Sequence, residues 1–461
     1  MAGAAQQPGP AQPGPLRLGE LLGSVSLATD LGTGQPLGHA LRTCALAVAL
    51  AEALGCGPEE RRTVHQFTLL RFLGCTADAA ETAVLVGGDE RAYNAAMAPA
   101  LHGSGREQLA RHVRSVAPAR PRLQRARLVA RSLADPRAGA RSLTTHCEVA
   151  AALARRIGLE QPVVDALAHA YERWDGKGFP AGLEGDAVPL AVRVAAVARD
   201  VDLATGAGED PRELLRARRG RAYDPAVVDA FERAGRDIFA RLVGEDEWEA
   251  MLAAEPKPVA AGRADAPDEL LAAFADFADL KSPWLRGHSR SVSALAGEAG
   301  RLAGLGDAAC TLLRRAGLAH SLGRVAVENG IWDRAGPLTT AEWERVRLHP
   351  YFTERILARC GPLAPSSRRR RRTTSASTGR ATTARFPARR SPARHGFSPP
   401  RTCSPPSSPT GRTGRRSRPR TRRRRSRPRR VRDGSTWTRS PACSRRRAGA
   451  RRPRRASGRR G

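Results

Sequence analysis

Several things are scarce in this chain, and each shortage excludes something. Aromatic residues make up 4% of it, and lysine occurs three times, at Lys177, Lys257 and Lys281. Alternating Val/Ile/Tyr stretches are also rare, so a central β-sheet is not expected. The eight cysteines are scattered, with no CxxC pair, which argues against a disulfide framework and a zinc finger. No apolar run reaches the length of a membrane span, and the N-terminus lacks a charged segment followed by an apolar one. A soluble, cytoplasmic protein with no membrane partner is therefore expected.

What is present is Ala, Leu and Val at helical spacing, as in 41–54, 149–157 and 291–302. Charge is distributed very unevenly. The net charge is +33, and the segment from Ser366 to Gly461 holds 34 arginines, no lysine and one acid, Asp433. The preceding 365 residues are neutral. Any polyanion partner therefore belongs to the tail, whose Arg/Pro/Ser composition cannot pack a core and reads as disordered.

The tail also reads as a displaced coding frame. With GC-rich codons, each hidden codon is the last base of one codon plus the first two of the next. Thr373 to Thr382 then becomes His-His-Glu-Arg-Leu-Asp-Gly-Ser-Gly-Tyr, and His395 to Cys403 becomes Ala-Arg-Val-Leu-Ala-Ala-Ala-Asp-Val. The alternative is a selected, protamine-like basic tail that binds nucleic acid. If the frame is displaced, the arginines still bind polyanions non-specifically; in either reading the tail packs no core.

The neutral part contains one unit twice. Gly38-His39 and Gly287-His288 are separated by 249 residues, and the same offset places Arg71-Phe72-Leu73-Gly74-Cys75 on His320-Ser321-Leu322-Gly323-Arg324. Further along the offset is 203, and it sets His146 on His349 and Gly158 on Gly361. It also sets Glu172-Arg173-Trp174-Asp175-Gly176 on the hidden Glu-Arg-Leu-Asp-Gly. Two related domains are expected rather than a solenoid.

Copy two reads Gly287-His288-Ser289, His320-Ser321-Leu322-Gly323-Arg324, Asn329-Gly330-Ile331 and His349-Pro350, followed by the two hidden strings. This order resembles the HD-GYP family of HD-domain phosphohydrolases, whose pattern is G-H-S, H-D-x-G-K, H-P, H-H-E-x-x-D-G-x-G-Y-P and A-D-x-x-D. The resemblance implies an all-α fold of two HD-like helical bundles in tandem. The expected layout is a disordered 1–16, a degenerate HD-GYP-like domain over 17–250, a linker at 251–264, a truncated HD domain over 265–362 and a disordered basic tail over 363–461. It also implies a divalent-metal centre of the Fe, Mn, Zn or Ni class, which makes hydroxide from water and clamps phosphodiester oxygens. Cyclic di-GMP or another phosphoester is the implied substrate. Intact relatives of this arrangement can end in a LuxR-type helix-turn-helix.

By this resemblance the metal positions of copy two are His288, His320 and His349. Ser321 replaces the family's bridging Asp at the catalytic position, and Arg324 stands where the phosphate-contacting Lys does. A neutral hydroxyl cannot bridge cations as a carboxylate does. In copy one, His39, His146 and Asp200 remain as a degenerate site. There His-Asp has become Arg71-Phe72 and His-His has become Ala170-Tyr171. The expectation is a metal-dependent phosphohydrolase by descent, impaired or inactive as written. A non-catalytic ligand-binding scaffold and a nucleic-acid binder acting through the tail are the alternatives.

Overall fold

The computed structural model describes residues 17–360 apart from 136, 243 and 259–265. The expectations for residues 1–16 and for the basic tail, displaced frame included, lie outside the described residues. Copy one supplies α1 (Leu18–Thr33), α2 (His39–Ala53), α3 (Pro58–Leu70), α4 (Ala79–Val86), α5 (Glu90–Met97), α6 (Gly105–Ser115), α7 (Arg122–Leu133), α8 (Ala138–Arg156), α9 (Gln161–Ala168), α10 (Leu190–Gly206), α11 (Pro211–Arg218), α12 (Pro225–Leu242) and α13 (Glu247–Ala253). Copy two supplies α14 (Ala266–Leu280), α15 (His288–Leu302), α16 (Asp307–Ala319), α17 (Asn329–Trp332), α18 (Thr340–Arg347) and α19 (His349–Leu357). The described residues form no sheet, only three isolated bridges. The all-α expectation holds.

The offset of 249 survives as geometry. Helices α2 and α15 begin at positions 249 apart, and α3 and α16 share both ends at that offset. Local chemistry sets these boundaries. Gly38 and Gly287 precede their helices with φ of 88° and 72°, a left-handed turn that a side chain disfavours. Pro58 occupies the first turn of α3, and Glu60 reaches back to accept from the Gly57 N–H at 2.9 Å.

A buried aspartate ten residues before each equivalent position locks the helix start. Asp30 accepts from the Gly38 and Ala40 N–H groups, at 3.0 and 3.2 Å. Asp279 accepts from the Ser289 N–H and its hydroxyl, both at 2.8 Å. Burial pushes both carboxyls above the usual range, more strongly at Asp30.

The two copies share one hydrophobic core, which runs from Leu21 and Leu41 through Val194 and Phe277 to Leu322 and Ile356. A buried ion pair joins them: Lys281 Nζ donates to Glu90 at 2.5 Å, and the Asn329 N–H donates to the same carboxylate at 3.1 Å. In copy one, α10 packs over α2 and α3. Helix α14 packs on α15 and α16 as α1 does on α2 and α3, but among the described residues no helix takes the place of α10 over them. Leu46 on α2 is 3% exposed, whereas its repeat partner Leu295 is 71% exposed. Leu302 and Leu312 are exposed beside it.

Candidate active site

Two of the three copy-two histidines meet. His288, the first residue of α15, and His320, just after α16, bring their Nε2 atoms to 3.2 Å. His320 Nδ1 lies 2.7 Å from the Gly317 carbonyl, which can only accept, so Nδ1 carries the proton and Nε2 a lone pair. Ser321 Oγ donates to that Nε2 at 3.0 Å. Burial lowers the His320 pKa, the Gly317 hydrogen bond opposes this, and Arg324 and His288 reinforce it. A neutral imidazole is the form that binds a metal, though here the Ser321 hydroxyl occupies the Nε2 lone pair.

His349 uses the same device. Its Nδ1–H donates to the Val346 carbonyl at 2.6 Å, leaving Nε2 as acceptor. Its ring packs edge-on to Trp332, with centroids 5.9 Å apart, and the Arg324 guanidinium lies over that same indole at 5.4 Å. Thr353 ties the backbones together by donating to the carbonyls of His320 and His349. Arg324 is partly buried, and its Nε and Nη1 have no hydrogen-bond partner. Burial lowers its pKa, and only the nearby Asp279 offsets this.

The donors present fit a metal only in part. Adjacent ligands with bonds of about 2.1 Å stand about 3.0–3.4 Å apart on one ion, which matches the His288–His320 spacing. Completion fails: among the described residues no group of three or more His, Cys, Asp or Glu side chains is arranged to hold a metal. Ser321 puts a hydroxyl where a bridging carboxylate would be needed.

In copy one the residues singled out from sequence each have a different partner. His39 Nδ1 lies 2.6 Å from Asp202, which Arg42 also grips. His146 Nε2 lies 2.7 Å from Asp78. Asp200 is buried and lies 2.9 Å from His102 Nδ1. Arg199, Arg218 and Tyr223 also donate to it. Although burial alone would raise Asp200, His102 and Arg199 hold it far below the usual range. Arg71, where a family ligand would stand, lies 3.4 Å from His102 Nε2 and donates to the Ala195 carbonyl. Guanidinium groups thus supply the positive charge that faces the buried carboxylate.

The glycine-rich loop at 171–180 is closed on itself. Glu172 accepts from the N–H groups of Ala181, Gly182 and Leu183, at 2.6, 3.0 and 3.0 Å. Those amides are therefore taken.

Sequence reasoning missed His102, Asp78, Asp202 and Asp279. Only Asp279 left a trace, since Asp30 stands 249 residues before it.

Histidines from two separate helix ends thus meet in copy two, near an arginine with unmated donors. The HD-domain profile matches twice, at residues 138–227 and 272–367. The two matches mark HD-domain segments in this chain, and its similarity to known phosphodiesterases supports a phosphohydrolase of the HD-GYP type. It is 28% identical over 358 residues to the 3′3′-cGAMP-specific phosphodiesterase 3 of Vibrio cholerae, covering 76% of this chain and 77% of that protein. A crystal structure of a cyclic GMP-AMP specific phosphodiesterase from V. cholerae superposes with a TM-score of 0.56 and 25% identity, over 76% of this chain and 81% of that one. The cyclic di-GMP phosphodiesterase response regulator RpfG of Xanthomonas campestris is 40% identical over 88 residues, 17% of this chain and 23% of that protein.

Proposed function

We propose that this chain is an HD-GYP-type phosphohydrolase by descent, directed at cyclic dinucleotides in the cytoplasm, with hydrolysis impaired or lost. Arg324 carries the reading. A guanidinium with two buried, unpartnered donors is costly unless an anion satisfies it. It lies near the His288–His320 pair, where a phosphodiester would have to sit. The relatives are named for acting on cyclic dinucleotides, which supports that substrate class here. Ser321 and the incomplete donor set support the loss of turnover.

The same two features favour a second reading, a ligand-binding signalling module that does not hydrolyse. One experiment separates the two. The full chain is supplied with Mn²⁺ or Fe²⁺, and hydrolysis and binding of cyclic di-GMP and 3′3′-cGAMP are measured side by side. Binding that weakens at least tenfold in Arg324→Ala, with no turnover, supports the second. Weak turnover that His320→Ala abolishes supports the first. Turnover within tenfold of an intact relative would overturn the impairment, and absence of both binding and turnover would overturn the substrate class.

A further inference from the structure

The two repeat offsets, 249 and 203, differ by 46 residues, which copy one carries between Cys75 and His146. Helices α6 and α7 lie in that stretch, and it is basic: residues 106–131 hold eight arginines and one acid, Glu107. Helix α7 walls a pocket of about 610 Å³ where the two copies meet, within the size range of small-molecule sites. Helix α4 packs against both α7 and α17, so these two stand on either flank of it. The copies approach here at backbone distance: the Gly330 N–H donates to the Gly88 carbonyl at 2.8 Å. None of the candidate metal or phosphate positions lines this pocket. Helix α17 turns Trp332 toward Arg324 and His349, whereas Asn329 and the following Asp333 line the pocket.

Three features of the lining call for a ligand. Asn329 is 2% exposed, and its amide is fixed by Nδ2, which donates to the Lys281 carbonyl at 2.6 Å and to Asp333 at 2.7 Å. Its Oδ1 is left buried with no partner, a cost that an N–H from a ligand would remove. Trp284 is 81% exposed, yet the turn that carries it is held, because Ser282 accepts from the Trp284 N–H and donates to Asp333 at 2.6 Å. With Val84 and Leu128 it offers a flat apolar surface to a ring. Arg120 and Arg127 are exposed on the α7 side and pair with no carboxylate among the described residues. Arg334, by contrast, is taken by Glu342.

We propose that this pocket binds a guanine nucleotide, with its base on Trp284, its donor edge toward Asn329 Oδ1 and Asp333, and its phosphate on Arg120 and Arg127. The charges set the direction. Asp333 repels a phosphate, so the anion goes to the arginine side of α4 and the base to the acceptor side.

The acceptors choose the base. Guanine carries a ring N–H and an amine side by side, two donors for the two acceptors Asn329 Oδ1 and Asp333. Adenine sets a ring acceptor beside its amine, and that lone pair would face a carboxylate. A pyrimidine covers less of an indole than a purine does. The ligand would be held by the extra segment of copy one on one side and by copy two on the other.

Calorimetric titration of the full chain with GMP, AMP and ribose 5-phosphate tests this, in about 0.3 M salt to screen the arginine tail. The tail reads phosphate alone, so a preference among the three reports on the pocket. GMP should bind at least tenfold tighter than ribose 5-phosphate and at least fivefold tighter than AMP. Trp284→Ala and Arg127→Glu, both surface changes whose fold a thermal melt checks, should each weaken GMP binding at least fivefold. Arg324→Ala, at the candidate active site, should leave GMP affinity within twofold, which separates this site from the one proposed above. GMP no tighter than ribose 5-phosphate would overturn the proposal, as would GMP affinity unchanged in both pocket variants or lost in Arg324→Ala. Equal affinity for GMP and AMP would overturn the assignment of guanine.

Discussion

A Cβ placed on Gly323 would stand 2.0 Å from the carbonyl oxygen of His349. Gly74 meets the carbonyl of its repeat partner His146 in the same way, at 1.9 Å. The two offsets read from sequence, 249 and 203, converge in this one contact, which presses the block after α3 or α16 onto the helix that carries the third histidine.

Gly323→Ala should therefore destabilise the fold by about 3 kcal/mol, because backbone rather than a side-chain end must move. Gly139→Ala is the control. It lies in α8 with no atom within 4 Å of its Cβ position, and should be neutral or stabilising by about 0.5–1 kcal/mol. Urea unfolding of the two variants checks the contrast.

Ser321→Asp should raise metal retention without restoring hydrolysis. The carboxylate would join the His288 and His320 nitrogens, but the family's His-His pair, which the displaced-frame reading sets at Thr373 and Thr374, and its final Asp would still be missing. Elemental analysis beside a cyclic dinucleotide assay measures both. Full turnover from the single change would show that the donor set is more complete than the geometry implies.

The bare face of α15 and α16 should make the protein self-associate. Leu295→Ala should change stability by no more than about 0.5 kcal/mol, whereas Leu46→Ala, at the covered equivalent, should cost about 2–5 kcal/mol. Light scattering should show less association for Leu295→Glu. Copy one shows what such a face accepts. Helix α10 covers it there, and the hidden string Ala-Arg-Val-Leu-Ala-Ala-Ala-Asp-Val aligns with 192–200 of α10 at the offset of 203. A gene edited to express that frame should yield a monomer with a higher melting temperature.

Stability should fall in mild acid. His65 is buried in α3 against the Met251 carbonyl, 3.1 Å from its Nε2, and burial lowers its pKa to about 4. With the folded value below the unfolded one, the unfolded chain binds the extra proton. The contribution is whole above about pH 6.5 and is lost as pH falls toward 4, amounting to about 3 kcal/mol. His65→Gln should flatten that part of the pH profile in chemical denaturation.

The 34 arginines after Ser366 should bind DNA without regard to sequence. Affinity for two unrelated duplexes should be equal and drop about a thousandfold between about 50 and 200 mM salt. Fluorescence anisotropy tests this, and selectivity that survives high salt would mark a selected nucleic-acid site.

The sequence by itself determined the helical class, the duplication, the family resemblance and the helices that follow Gly38 and Gly287. Apolar spacing, capping glycines and motif order are local properties, written over a few turns of chain. It also marked His288 and His320, because both belong to motifs. Only the tertiary structure decided which groups meet. Asp202 reaches His39 across 163 residues, Asp78 reaches His146 across 68, and His102 reaches Asp200 across 98. Such pairs carry no spacing signal. Burial was likewise undecidable from one segment: Leu46 and Leu295 hold matching repeat positions, yet only one is covered, because exposure depends on whether a distant helix lies over the site.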